Sequence, residues 1–387
     1  MAEIEALHLF HNLPSGGGIR ALSGMLSRIS PERPVRAWSP SGSYPLQGVN
    51  GVTEESLPFP EGARLRGIRR LAGPLGPMVR LKRLELLCRR AAELMDDAGC
   101  GPALICNSMY VAAPPILRFL RRRSAYYCFE YPRHIFEPRL VKRTRGRLSE
   151  AILAPLARME REMDRSSALA AGLVIALSEY MAGRIADIYG IKARVVRPGV
   201  DSYFFTPSNR PGGGGFALSV GALWPFKGHD FAIRAAAGAG LRSIVVTADR
   251  EFPGYCAVLE KTAADSGIGL TVFSGLSDLE LRELYRACSV VICGQHMEPY
   301  GMVPLEAMAC GRPVVAVAEG GFVENIEHGV TGFLTPREPD AAAEIVAKAV
   351  EAGRWSGVGG AAREFVERER SLEAGAAGLL SALGSLA

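Results

Sequence analysis

One segment in the second half of the chain limits the possible folds more than any other. Residues 290–293 (VVIC) are four consecutive apolar residues, a pattern typical of a strand that is buried on both faces. A loop then leads to Gly301, and Pro304 and Gly311 favour the first turn and the end of a short helix. A buried strand, a glycine turn and a helix form the repeating unit of α/β domains with a parallel sheet.

Two acids flank the start of this predicted helix. The free N–H groups of Gly301, Met302 and Val303 are suited to bind a phosphate. We expect Glu306 in the first helical turn, where its carboxylate could accept hydrogen bonds from the paired hydroxyls of a ribose, and Glu298 could bind a second polyol. The pattern predicts a nucleotide that carries a sugar. The alternative is that Glu306 only complements the helix dipole and that Glu298 is a solvated loop acid.

The residues that follow extend the pattern. Residues 312–317 predict a strand, 319–325 open a helix, and 327–334 end on another strand. The stretch EPYGMVPLEAMACGRPVVAVAEGGFVENIEHGVTGF resembles the signature of family four of the retaining glycosyltransferases with the GT-B fold. Its parts are two Glu residues separated by seven residues, a small-residue helix, a G-x-P-V-V strand and a G-G-x-x-E turn.

This resemblance implies an α/β protein of two Rossmann-like doubly wound domains that face a central cleft. It also implies a hexosyltransferase that moves a sugar from a nucleotide-diphosphate sugar to a hydroxyl acceptor with retention of configuration. In such enzymes the departing diphosphate itself accepts the proton of the acceptor. Helix N–H groups and cations take the place of a metal, and the sequence contains no D-x-D. We therefore expect no metal and no cofactor besides the nucleotide sugar, which is a co-substrate.

A second motif opens the second domain. Residues 220–228 (VGALWPFKG) resemble the family's v-G-R-L-x-x-x-K-G, with Ala222 where the family has arginine. The resemblance implies that Gly221 and Lys227 bind the diphosphate and that Lys227 and Glu298 are the catalytic residues. The missing arginine means that one cation holds the diphosphate or that another arginine substitutes. The alternative for Lys227 is a structural lysine at a helix start.

The first domain begins with the same kind of unit. Residues 4–10 predict a strand, and a glycine turn and a helix from about residue 19 follow it. Gly16 and Gly17 would let the backbone approach the donor closely. These glycines do not form a G-x-G-x-x-G dinucleotide fingerprint, and a merely flexible loop is the alternative.

A further passage resembles the acceptor or sugar side of the family's site. Residues 127–134 (YCFEYPRH) are similar to Y-C-H-x-P-x-R, with Phe129 where many members place a histidine. Glu130 and Arg133 fit a variant that reads Q-E-P-x-R. His134 could take over the histidine's role, and a structural histidine is the alternative.

Two other functions remain open from the sequence. One is a nucleotide-sugar-binding GT-B protein that has lost catalysis, which the changes at Ala222 and Phe129 motivate. The other is a phosphorylase-like or epimerase-like enzyme of the same fold.

The chain of 387 residues, 48% apolar and 22% charged, is typical of a globular protein of two domains. We place the acceptor-side domain at residues 1–205, the donor domain at 206–365 and a terminal helix at 366–387, which the resemblance implies packs back toward the first domain. We expect a loop over residues 54–78 and a single helix over 361–380.

Charge is shared unevenly between the two halves. Residues 1–199 hold 30 Lys and Arg against 18 Asp and Glu, and residues 200–387 hold 15 against 22. A basic first half, with clusters at 64–90 and 118–147, suggests an anionic partner, and solvated arginines are the alternative. Membranes are one candidate partner. Nucleic acid is not expected, because no binding motif is present.

The first residues and the cysteine pattern predict a cytoplasmic protein, with peripheral contact at the inner membrane face as a further option. The first six residues carry acids where a signal peptide has Lys or Arg. The eight cysteines form no C-x-x-C, so neither a zinc site nor a disulfide framework is expected.

Overall fold

The structure is a computed structural model that describes residues 4–43, 45–46, 48–58, 75–108, 111–137, 147–208, 214–248, 252, 254–350 and 355–386. Contacts divide the chain into unit 1, Met1–Arg197 with Ala376–Ala387, and unit 2, Pro198–Gly375. The sequence placed its boundaries at 205/206 and 365/366.

Unit 1 contains a parallel sheet of seven strands in the order β3-β2-β1-β4-β5-β6-β7. The strands are β1 (Leu7–Asn12), β2 (Val35–Pro40), β3 (Val52–Leu57), β4 (Ala103–Ser108), β5 (Ser124–Cys128), β6 (Leu173–Ala176) and β7 (Arg194–Val195). All residues of β1 and β5 are buried, as expected for inner strands covered on both faces. The order reverses between β1 and β4, which is where doubly wound sheets bind ligands.

The helices of unit 1 connect successive strands. They are α1 (Gly17–Ile29), α2 (Leu75–Asp97), α3 (Arg133–Phe136), α4 (Arg147–Leu169) and α5 (Glu179–Tyr189), with a 3₁₀ helix at Pro115–Arg118. α5 begins at Ser178, whose hydroxyl accepts a hydrogen bond from the N–H of Met181, and ends at Gly190 with φ of +74°. These caps are the ones that the sequence favours for a helix of this length.

Unit 2 contains a parallel sheet of six strands in the order β10-β9-β8-β11-β12-β13. The strands are β8 (Phe216–Val220), β9 (Ser243–Ala248), β10 (Gly269–Ser274), β11 (Val290–Cys293), β12 (Val314–Val317) and β13 (Phe333–Thr335). This is the strand order of the Rossmann fold, with its switch point between β8 and β11.

The helices of unit 2 follow the same alternation. They are α6 (His229–Gly238), α7 (Tyr255–Ser266), α8 (Asp278–Ala287), α9 (Met302–Ala309), α10 (Phe322–Asn325), α11 (Pro339–Val350), α12 (Trp355–Glu369) and α13 (Leu372–Gly384), with a 3₁₀ helix at Pro225–Lys227. The division between the units falls within α13, after Gly375. The doubly wound α/β class predicted from the sequence is confirmed in both units.

Two expectations about local structure are wrong. The predicted loop over 54–78 contains the end of β3 and the first turn of α2, while residues 59–74 lie outside the described part of the chain. The single helix expected over 361–380 is two helices. At the break between α12 and α13, the carbonyl of Arg370 accepts a hydrogen bond from the backbone N–H of Val200 at 2.7 Å instead of one from the following helical turn.

The arginine triplet at 121–123 binds to the chain's own groups. Arg121 and Arg122 both pair with Asp96, at 3.2 and 3.3 Å. Arg122 also donates to two backbone carbonyls of the loop after α2, and Arg123 donates to the carbonyl of Leu386. These contacts attach the start of β5 to its surroundings, a structural role that neither the anionic partner nor the solvated arginines of the sequence analysis anticipated. Half of the other basic residues of the two clusters, those at 64–70 and 139–145, lie outside the described residues.

No helix in the described part of the chain has both the length and the apolar character needed to cross a bilayer.

Candidate active site

The loops after β8 and β11 touch at the switch point of the second sheet. The backbone N–H of His296 donates to the carbonyl of Phe226 at 2.8 Å. A Cβ on Gly228 would lie 2.0 Å from the carbonyl oxygen of Gly294, and Gly228 has φ of +65°. Glycine at position 228 is therefore required for the two loops to pack against each other.

This packing brings together Lys227 and Glu298, which are 71 residues apart in sequence. Lys227 Nζ lies 2.9 Å from Glu298 Oε2, and their side chains are 22% and 20% exposed. Gly221 lies beside them, because a Cβ built there would be 3.5 Å from Lys227 Cδ. The sequence analysis predicted that these three residues contact the diphosphate and the sugar. The structure brings them into one cluster, in which Lys227 and Glu298 form an ion pair. A bound anion could take the place of Glu298 beside Lys227.

The loop that carries Glu298 is held by the glycine pair at 320–321. A Cβ on Gly320 would lie 2.4 Å from the carbonyl oxygen of Glu298, and Gly320 has φ of +58°. The N–H of Gly321 donates to that same oxygen at 2.7 Å. The G-G turn noted in the sequence therefore fixes the backbone of the acid.

Helix α9 starts three residues after Glu298. Gly301, its N-cap residue, has φ of +93°, and a Cβ there would lie 2.6 Å from the ring of Phe322. Met302 and Val303 are the first helical residues, so their N–H groups have no acceptor within the helix. Such a helix start is suited to an anion.

Glu306 is not in the first turn as the sequence analysis expected; it is the fifth residue of α9 and lies in the second turn. It is 1% exposed, and its Oε2 accepts a hydrogen bond from the Tyr285 hydroxyl at 2.7 Å. A buried carboxylate needs such donors to offset its lost hydration. Tyr285, on α8, was missed because its helical spacing marks it only as a core residue.

A second ion pair lies under the same loop. Arg337 forms two hydrogen bonds with the Glu319 carboxylate, at 2.7 and 2.6 Å. Burial raises the pKa of Glu319, but the hydrogen bonds and charge of Arg337 outweigh it and hold that pKa below its ordinary value. The pair is therefore charged at neutral pH. Glu319 lies in the signature stretch, directly before its G-G turn, but the sequence analysis assigned no role to it or to Arg337.

His229, which follows the K-G of the second motif, is a structural residue. Its ring is completely buried, with Nδ1 at 2.8 Å from Ser219 Oγ and Nε2 at 3.2 Å from the carbonyl oxygen of Ala222. Burial lowers the pKa of His229 to about 4, so the ring is neutral at physiological pH. The histidine ties the segment around Ala222 to β8.

The site residues predicted in unit 1 lie at the carboxyl ends of β1 and β5. Gly16 caps α1 with φ of +127°, and Gly17 is the first residue of that helix. Phe129, which stands where many family members have a histidine, is 9% exposed. Its ring would lie 3.3 Å from a Cβ on Gly18. The aromatic ring therefore packs directly under the glycine turn.

Glu130 and Arg133 form an ion pair, with Arg133 Nε at 3.0 Å from Glu130 Oε1. Arg133 is 6% exposed, whereas the Glu130 side chain is 44% exposed. His134 points elsewhere: its Nε2 lies 3.3 Å from Glu160 on α4, and the imidazole is 55% exposed. The structure thus joins the predicted Glu130 and Arg133 and pairs His134 with an acid outside the predicted set.

Within the described residues, no group of three or more His, Cys, Asp or Glu side chains could hold a metal ion.

Part of the chain is similar in sequence to known proteins. The family model of Glycosyl transferases group 1 matches residues 203–368. A D-inositol 3-phosphate glycosyltransferase of Acidothermus cellulolyticus is 36% identical over 177 residues, which cover 40% of this chain and 40% of that protein. Its counterpart from Kribbella flavida is 32% identical over 225 residues, 51% of this chain and 53% of the relative. The chain therefore spans about half the length of the curated relatives it matches.

Solved structures match over nearly the whole chain. Sucrose-phosphate synthase from Thermosynechococcus elongatus superposes with a TM-score of 0.74 at 16% identity, over 99% of each chain. The Anabaena protein HepE, solved in complex with UDP and glucose, gives a TM-score of 0.70 at 18% identity, over 99% of this chain and 100% of that one. At these identities the likeness concerns the fold, and it confirms the GT-B fold expected from the sequence. Residues 203–368 are therefore similar to the glycosyl transferases group 1.

Proposed function

We propose that this protein is a retaining glycosyltransferase that moves a sugar from a nucleotide-diphosphate sugar to a hydroxyl acceptor without a metal. One observation carries the proposal: Lys227 and Glu298 meet at the switch point of the second sheet, and the chain runs from Glu298 directly into the N-terminus of α9. A cation, a carboxylate and free helix N–H groups are what a sugar diphosphate requires of a site.

In the proposed complex the diphosphate replaces Glu298 as the partner of Lys227. The ammonium group and the N–H groups of Met302 and Val303 then share the negative charge of the phosphates. Each preorganised donor aimed at the leaving group lowers the barrier by about 3–4 kcal/mol. Glu298, once released, faces hydroxyls of the transferred sugar, and Glu306 accepts hydrogen bonds from the ribose. Gly221 and the glycines at 16 and 17 let the backbone approach the donor.

The reaction exchanges one bond for another at the anomeric carbon. The bond from this carbon to the diphosphate oxygen breaks, and the acceptor oxygen forms its bond on the same face of the sugar. The proton of the acceptor hydroxyl passes to an oxygen of the departing diphosphate. The protein contributes position and charge stabilisation, and positioning alone can remove roughly 7–11 kcal/mol of barrier.

The comparisons suggest which compounds to test first. HepE was solved with UDP, with UDP and glucose, and with UDP-glucose, so uridine nucleotides are the first donors to try. The curated relatives are named for an inositol phosphate acceptor, so phosphorylated polyols are the first acceptors. Glu130 and Arg133 are our candidates for the acceptor or sugar side, and His134 is a weaker candidate because it pairs with Glu160.

We propose that the acceptor is soluble, because the arginine triplet is engaged within unit 1. Co-sedimentation with anionic vesicles at low and high salt tests this statement. Absence of binding at low salt supports it, and salt-sensitive binding would instead favour a lipid-linked acceptor at the membrane.

A transfer assay tests the proposed reaction. The protein is screened by thermal shift against UDP-, GDP-, ADP- and dTDP-sugars, since a bound ligand raises the unfolding temperature. The stabilising donor is then incubated with inositol phosphate, and NMR reads the anomeric configuration of the product. We expect retention. Binding without transfer or hydrolysis would indicate a non-catalytic binding protein, which the missing arginine at Ala222 makes the second candidate. Activity that needs phosphate and no nucleotide would indicate a phosphorylase-like enzyme.

A further inference from the structure

We infer that Glu319 and Arg337 act as positioning residues, whose ion pair holds the loop before Glu298 in the conformation that aims this acid at Lys227. This inference rests on the proposed function and adds to it two residues to which the resemblance assigned no role. Both lie outside the predicted phosphate and sugar contacts.

The Glu319–Arg337 pair forms hydrogen bonds with three backbone groups of the loop at residues 294–297. Arg337 donates to the carbonyl oxygens of Gly294 and Gln295, at 2.7 and 3.0 Å. Glu319 accepts a hydrogen bond from the N–H of Met297 at 3.4 Å. The two-point bond between Glu319 and Arg337 fixes the orientation of the guanidinium group, so that its other N–H groups face the two carbonyls.

Met297 adopts a backbone conformation that requires such support. Among the described residues it is the one non-glycine residue with positive φ, at +46°. A side chain disfavours this left-handed region, which persists where surrounding contacts over-determine it. Met297 directly precedes Glu298, so relaxation of its backbone would swing the acid away from Lys227.

The opposite side of the loop is anchored to the lysine segment. His296 donates to Phe226, and Gly294 lies in backbone contact with Gly228. The ion pair and the lysine segment therefore hold the loop from two sides. Loss of the pair leaves the loop attached to the lysine segment and, at the Glu298 carbonyl, to Gly321. Residues 294–297 are then held from one side only, so we expect the position of Glu298 to change more than the stability of unit 2.

The experiment compares Arg337→Lys with two double variants. Lysine keeps the charge and loses the fork that reaches both carbonyls. With UDP-glucose as donor and inositol phosphate as acceptor, we expect Arg337→Lys to lower kcat about 10- to 100-fold, as a misplacement near 1 Å would. Its Kd for UDP should stay within about threefold of the parent value, because Lys227 and the α9 N-terminus are intact.

Adding Met297→Gly to Arg337→Lys should restore part of kcat, since glycine adopts positive φ without support. Met297→Ala is the matched control and should restore none. The inference would be overturned by a kcat for Arg337→Lys within twofold of the parent value, or by equal rescue with alanine and glycine.

A crystal structure of ligand-free Arg337→Lys separates this inference from the proposed function. If the parent protein shows no transfer, the proposed function fails, and the structure alone decides about the pair. Displacement of residues 294–298 with loss of the Lys227–Glu298 contact would support the positioning role. An unchanged loop would refute it.

Discussion

The Tyr285 hydroxyl donates a hydrogen bond to Glu306 Oε2 over 2.7 Å in the interior of unit 2. The tyrosine is 0% exposed and the glutamate is 1% exposed, so the carboxylate is held in a fixed orientation by a neighbouring helix. A fixed carboxylate loses little conformational freedom when a ligand binds, which suits the ribose contact that we propose for Glu306.

Glu306→Ala should weaken the binding of the nucleoside diphosphate by about 1.5–3 kcal/mol, because the ribose hydroxyls lose a charged acceptor. Isothermal titration calorimetry measures the change. Tyr285→Phe should lower the free energy of unfolding by about 1–3 kcal/mol and weaken nucleotide binding less than Glu306→Ala does, because the carboxylate remains and only its fixed orientation is lost. Equal affinity of Glu306→Ala and the parent protein would show that the ribose assignment is wrong.

Glu298→Gln should lower turnover much more than it weakens binding of the bare nucleoside diphosphate. The acid occupies Lys227 in the ligand-free protein, so its neutralisation frees the ammonium group for phosphate. Steady-state kinetics and calorimetry on the same preparation give the two quantities. Equal losses in turnover and in diphosphate affinity would count against the placement of Glu298 at the sugar.

Gly320→Ala should abolish most of the activity and destabilise unit 2. Its Cβ would lie 2.4 Å from the Glu298 carbonyl oxygen, in addition to the strain of φ at +58°. Gly329→Ala is a matched control, because Gly329 has φ of +80° and nothing within 4 Å of a built Cβ. The control carries the backbone strain without the clash, so it should keep its turnover. Similar kinetics for the two variants would mean that the contact with Glu298 is unimportant.

Asp164 makes the stability of unit 1 dependent on pH. Burial raises the pKa of Asp164 to about 6, against hydrogen bonds from Ala113 and Tyr189 that lower it. The folded state therefore binds more protons than the unfolded state between about pH 4 and 6. The contribution of this group to the free energy of unfolding is largest below pH 4 and falls as the pH rises to 6, by about 3 kcal/mol.

Asp164→Asn removes this titration. Urea unfolding at pH 4 and pH 7 should show the variant gaining about 3 kcal/mol relative to the parent protein at the higher pH. Asp97→Asn, at a side chain that is 76% exposed, is the control for loss of a carboxylate at the surface. A pH-independent difference between Asp164→Asn and the parent would contradict the raised pKa.

The sequence predicted those elements whose signal is local. β11 and β12 are continuous apolar runs: β11 has the predicted bounds 290–293, and β12 lies within the predicted strand 312–317. β3 was missed because the edge strand VTEESL is largely exposed and its polar residues resemble a loop. Edge strands in parallel sheets lack the apolar signal of inner strands.

Contacts between residues that are far apart in the chain could not be predicted from the sequence. The residue types at Lys227 and Glu298 were identified, but their ion pair depends on β8 and β11 being neighbours in the sheet. Glu319 and Arg337 meet for a similar reason, because β12 and β13 pair and each is followed by one of the two residues. Neither pair has a sequence spacing that could have indicated a contact.

Lys227→Ala provides the most direct test of the central claim, which is that the switch point of the second sheet binds the diphosphate of a nucleotide sugar. Calorimetry should compare UDP with uridine on the parent protein and on this variant. We predict that UDP binds the parent far more tightly than uridine does. The variant should lose roughly 10²–10³-fold in transfer rate and much of its preference for the diphosphate, with unchanged affinity for uridine. If UDP and the other nucleoside diphosphates bind both proteins equally well, or bind neither, the site is not the one we describe.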